Sequence, residues 1–103
     1  MRREDLARAI EEAVLAVPGV ARLSRGPGVE VSTLFAGGKV VGLRLSSDPV
    51  EVHLVADAAP LTPVAEAAAE AAMRALRAAG DERPVQVVIE DVEAVALDRR
   101  RSR

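Results

Sequence analysis

The chain has 103 residues, half of them apolar, with a single aromatic residue, Phe35, no cysteine and a formal net charge of −2. A chain of this length suits one domain with one core, and a core drawn mainly from Ala and Val must be built of small, closely packed side chains that leave little to line a deep pocket. The lack of cysteine excludes a disulfide framework and thiolate metal sites, and no stretch approaches the roughly 18 to 20 apolar residues that span a bilayer.

The first predicted element is an amphipathic helix. Leu6, Ile10, Ala13, Val14 and Val17 recur at three- and four-residue steps, while Glu4, Arg8, Glu11 and Glu12 share the other side. Glu4 with Arg8 and Arg8 with Glu12 form i,i+4 pairs of opposite charge. Pro18 and Gly19 end the helix, since the proline ring disfavours helical geometry at Val17. Leu15 falls out of phase among the charged residues, and the following loop is expected to cover it.

Strands are expected at residues 20–23, 29–35, 39–45 and 50–56, separated by Gly26-Pro27-Gly28, Gly37-Gly38 and Ser46-Ser47-Asp48-Pro49. For the hairpin around Gly37, a three-residue loop of Ala36 to Gly38 pairs Thr33 with Val41 and Val31 with Leu43, keeping one face apolar. The second half reads as a β-α-β unit. Thr62 is placed as N-cap, Pro63 at the first helical position and Gly80 as the stop. Val64, Ala68, Ala71, Ala72, Ala75 and Ala79 make a flat stripe opposite Glu66, Glu70, Arg74 and Arg77. Residues 85–90 return as a strand parallel to 50–56.

Together these elements predict an α/β (α+β) two-layer sandwich in the order α-β-β-β-α-β, a mixed sheet of three to four main strands with both helices on one face. Residues 1–97 are read as the domain and 98–103 as a basic disordered tail. Val31, Thr33, Phe35, Val41, Leu43, Leu45, Val50, Val52, Leu54, Val85, Val87 and Ile89 alternate towards the helices. The other side carries Glu30, Ser32, Leu34, Val40, Arg44, Glu51, His53, Val55, Gln86, Val88 and Glu90. That mixture is too polar for a core and too apolar for a purely solvating surface, so Arg44, Glu51, His53, Val55, Val88 and Glu90 are candidate partner-binding residues.

The catalytic inventory is small. His53 is the single histidine, which removes metal sites and triads built on a histidine pair or on Cys and His; with Glu51 or Glu90 it is the one candidate base, and its expected role is structural. Gly26-Pro27-Gly28 and Gly37-Gly38-Lys39 lack the following helix N-terminus of a phosphate loop and read as turns. The acidic run Glu90, Asp91 and Glu93 has no matching ligand set and reads as solvated charge. No cofactor or metal is expected. The tail carries +3, four arginines against Asp98, leaving the rest of the chain near −5. An acidic body argues against a broad nucleic-acid footprint, whereas Arg99, Arg100, Arg101 and Arg103 are candidates for an anionic membrane surface or nucleic-acid phosphates.

Three segments carry a family resemblance. They are Ala13-Val14-Leu15-Ala16-Val17-Pro18-Gly19-Val20-Ala21-Arg22-Leu23, the strand and helix over residues 52–79, and the ending Val85-Gln86-Val87-Val88-Ile89-Glu90-Asp91-Val92. In order and spacing, over about residues 5–95, they resemble the bacterial alkaline shock protein family of general or envelope stress response proteins. The approach to the second helix, residues 57–63, departs from that family in lacking an aromatic-glycine element, and alanine replaces many larger helix residues. The resemblance implies a small, non-enzymatic, cytoplasmic bacterial protein that binds a protein partner, membrane-anchored in some members, and self-associates in others. It transfers no catalytic residue. Two other classes stay open: a small nucleic-acid-binding module using the arginine tail, and a minor enzyme built on His53.

Overall fold

The computed structural model describes residues 1–93. Two helices, α1 (Arg3–Leu15) and α2 (Leu61–Ala78), accompany six strands: β1 (Val20–Leu23), β2 (Ser32–Phe35), β3 (Gly38–Val41), β4 (Leu43–Arg44), β5 (Val50–Ala56) and β6 (Val85–Val92). β5 organises the main sheet. On one edge it pairs in parallel with β6 along its whole length; on the other, β4 and β1 share it end to end, both antiparallel. β2 and β3 form a separate hairpin. The result is a compact α+β fold with a four-stranded mixed sheet and both helices packed on its apolar face.

The helices bury the sides their sequences dictate. α1 buries Ala7, Ile10 and Val14, with Leu6 and Val17 packed at the margin. Arg8 pairs with Glu4 as expected, but its second partner is Glu11 rather than Glu12. Leu15 is not covered by the loop after α1 and stays 43% exposed, a correction to its expected burial. α2 buries Val64, Ala68, Ala71, Ala72 and Leu76, so the small-residue stripe holds and gains a leucine that the alanine pattern hid. The helix begins two residues earlier than predicted. Pro60 is its N-cap, and Pro63 sits in the first turn, where backbone N–H groups have no intrahelical acceptor and the missing donor costs nothing.

The predicted strand 39–45 divides at Gly42. The β2–β3 hairpin closes with a two-residue loop, Ala36 and Gly37, and pairs Thr33 with Val40 instead of Val41. Gly37 takes the positive φ at the second central position with Ala36 at negative φ, as a type II turn requires. Val40 is therefore buried, and its assignment to the open face is corrected. Val31 then lies opposite Gly42, whose N–H donates to the Val31 carbonyl. Gly42 takes φ +87°, breaks the alternation and lets Leu43 turn inward beside it. A Cβ there would lie 2.7 Å from the Leu23 Cβ and 2.9 Å from the His53 carbonyl oxygen. Thr33 locks the hairpin to β4: its hydroxyl donates to the Leu43 carbonyl at 2.7 Å and accepts from the Leu45 N–H at 3.0 Å. Arg8 lies over the Phe35 ring, 5.1 Å from its centre, and joins the hairpin to α1.

Arg83 joins the two loops at the other end of β5. Its guanidinium donates to the Leu45 and Ser47 carbonyls at 2.7 and 2.9 Å and to both carboxylate oxygens of Asp81. These hydrogen bonds from Arg83 hold the Asp81 carboxyl below the usual carboxylate range.

Two substitutions test this frame. Gly42→Ala is expected to lose roughly 1–3 kcal/mol from its left-handed backbone alone, and more from the contact with Leu23, in urea unfolding; an unchanged midpoint would mean the joint relaxes freely. Asp81 has a lowered folded pKa, so its stabilisation is present above the ordinary carboxylate range and is lost as the pH falls through the folded value. Asp81→Asn is therefore expected to be less stable than the parent at about pH 7 and to converge with it at about pH 2; a gap that persists in acid would contradict a charged Asp81–Arg83 contact.

Candidate functional site

The face of the sheet turned away from the helices is built by β5 and the strands on its two edges. Alternation along β5 sends Val50, Val52 and Leu54 into the core and Glu51 and His53 to the other side. β4 sets Arg44 directly across from Glu51, and β6 sets Gln86 beside Glu51 and Val88 beside His53. Beyond Ile89 the β5–β6 register slips by one residue, so that Leu54 faces Ile89 and Val55 faces Asp91. Glu90 is the inserted residue. Bulges re-aim side chains, and this one leaves the Glu90 carboxylate 2.7 Å from His53 Nδ1.

A continuous polar row results. His53 Nε2 lies 3.1 Å from Glu51 Oε1, and the other Glu51 oxygen lies 3.8 Å from the Arg44 guanidinium. Arg44, Glu51, His53 and Glu90 thus connect across three strands, and Val88 flanks His53 on the same face. The His53 side chain is only 12% exposed. Carboxylates only accept, so both ring nitrogens face acceptors, Nδ1 towards Glu90 and Nε2 towards Glu51.

Val55 departs from expectation. It projects to the same side as His53 yet is only 4% exposed, so it is removed from the candidate contact residues. Arg22 lies opposite Val55 on β1 and forms an ion pair with Glu93, which follows β6 and whose N–H donates to the Ala56 carbonyl. That pair crosses β5 beside Val55. The acidic run at the end of β6 is therefore divided rather than pooled: Glu90 serves His53, Asp91 accepts from the Val92 N–H, and Glu93 serves Arg22. Among the described residues no cluster of His, Asp and Glu converges closely enough to hold a metal ion.

Arg99, Arg100, Arg101 and Arg103 lie outside the described residues. Arg22 and Gly42 shape this face and Arg83 fixes the loops at the far end of β5; none of the three was singled out by sequence reasoning. Gly42 had a legible signal, a glycine inside a strand pattern, which marks a bend or a close backbone approach. An open groove of about 300 Å³ lies between the helices, lined by α1 and its following turn (Ala13, Ala16, Val17, Pro18) and by Ala67, Glu70, Ala71 and Arg74 of α2. Its walls are mostly apolar, and its two charged groups, Glu70 and Arg74, pair with each other at 3.5 Å. Among the described residues no helix is long and apolar enough to cross a membrane.

No family model, no curated protein and no solved structure matches the chain.

Proposed function

We propose that the chain is a non-enzymatic protein-interaction module of the cytoplasm that docks a membrane-associated protein through the sheet face around His53. One observation carries the reading: Arg44, Glu51, His53 and Glu90 form a connected row of polar side chains on the face opposite both helices. Side chains already fixed by one another lose little freedom when a partner docks, which lowers the cost of association. The charges of the row set orientation and register, and half-buried Val88 beside it supplies apolar area. The same geometry suits His53 to a positioning role in the row, with each ring nitrogen turned to a carboxylate. The class of partner comes from the likeness to alkaline shock proteins in the segments around Pro18 and Val85 to Val92.

The test is affinity capture from a bacterial lysate that contains membranes, using the full chain, Arg44→Glu, Glu51→Arg and the double reversal. The expected result is one membrane protein retained by the parent, about tenfold less by each single reversal, and partial recovery by the double variant. Equal retention by all four would remove the face from the account. Capture of nucleic acid alone, weakening steeply with salt, would replace the reading with binding through the arginines of residues 98–103.

A further inference from the structure

The His53 ring bridges two strands. Nδ1 lies 2.7 Å from Glu90 Oε1 on β6, and Nε2 lies 3.1 Å from Glu51 Oε1 on its own strand. A carboxylate only accepts, so both contacts are hydrogen bonds only while the ring carries two protons. A ring with one proton turns a nitrogen lone pair towards a carboxylate, and that contact must open. Histidine is the side chain whose ordinary titration falls between about pH 5 and 8.

The two carboxylates are not equally placed to leave. Glu90 is the inserted residue of the β6 bulge, and among the described residues its carboxylate contacts His53 alone. Glu51 makes the longer contact and has a second partner, since its other oxygen lies 3.8 Å from the guanidinium of Arg44, directly across the β4–β5 ladder. That separation is too long for a hydrogen bond, and the Arg44 side chain is 43% exposed, so it has room to close. A planar guanidinium offers two parallel donors to a carboxylate released from the imidazole. The remaining charges around His53 are engaged elsewhere or stand apart. On β1, Arg22 is paired with Glu93 beside Val55; Arg25, in the loop that follows, is exposed and lies near Glu30; on β6, Asp91 is exposed opposite Val55.

The geometry points to a proton-operated exchange of partners. With two protons His53 joins Glu51 to Glu90; with one it keeps Glu90 through Nδ1–H, and Glu51 passes to Arg44. The proton leaves to solvent. The row then changes from a formal charge of zero, two cations against two carboxylates, to −1. The continuous row becomes two separate pairs, Arg44 with Glu51 and His53 with Glu90. The open face of the sheet therefore presents a different charge and a different set of free donors on the two sides of a single titration. This switch belongs to the chain itself and does not rest on what docks at the face.

Side-chain NMR on the isotope-labelled full chain, from about pH 5 to 9, tests it. His53 is the single histidine, so its ring nitrogens are assigned without ambiguity. The expected result is that Nε2 gives up its proton while Nδ1 keeps its own, and that the Arg44 Nε and Glu51 carboxyl signals shift with the same midpoint as the ring. His53→Gln, whose amide donates a hydrogen bond but does not titrate, is expected to abolish the Arg44 shift over that range. A parent ring that keeps one protonation state throughout, or that loses the Nδ1 proton instead, overturns the proposal. So do Arg44 and Glu51 signals that fail to follow the ring, or an Arg44 shift retained in a folded His53→Gln. Should that variant not fold, the tautomer of the parent ring and its Arg44 signal decide the matter.

Discussion

The backbone of His53 is where three strands meet, and the rest of the structure depends on that junction. Its N–H donates to the Gly42 carbonyl and its carbonyl accepts from the Ser24 N–H, both at 2.8 Å. β4 and β1 are thereby laid end to end along one edge of β5, while β6 fills the other. Such an arrangement needs a residue at position 42 that takes a left-handed conformation and brings no side chain into the gap between Leu23 and His53. Glycine alone meets both conditions.

Fixing β5 in this way determines what each face of the sheet can do. Val50, Val52, Leu54 and Ala56 are fully buried against helices whose small residues admit close approach. Glu51 and His53, held in the same rigid strand, are displayed on the opposite side with partners supplied by β4 and the β6 bulge. The polar row is therefore a consequence of the core: the ladder that buries the valines also sets the spacing of the carboxylates around the imidazole. Arg83 and Asp81 close the far end of β5 by tying the loop after α2 to the carbonyls of Leu45 and Ser47.

Much of this was legible in the sequence because the periodic signals were strong and uninterrupted. The three-to-four-residue recurrence of α1, the alanine stripe of α2 and the alternation over residues 50–56 and 85–89 each encode one face, and the architecture follows from where those faces must meet. The hairpin resisted the same logic. Alternation over 39–45 was read as one strand, which favoured Val41 as the inward residue, whereas Gly42 resets the phase and Val40 goes in. At the site, alternation placed Arg44, Glu51, His53, Val88 and Glu90 on one face, but it could not reveal the bulge that aims Glu90 at His53 or the Arg22–Glu93 pair beside buried Val55. Bulges and long-range ion pairs arise from the register between segments, and a single segment read alone carries no trace of it.

Native-state hydrogen exchange of the full chain bears most directly on the claim that the junction at His53 organises the molecule. The amides of Ser24, Gly42 and His53 are expected to open only with the global unfolding that also exposes β5 and β6. Exchange of Ser24 and Gly42 by a local opening shared with the β2–β3 hairpin, while the β5–β6 amides remain protected, would contradict it and leave the parallel pair as the sole organising element.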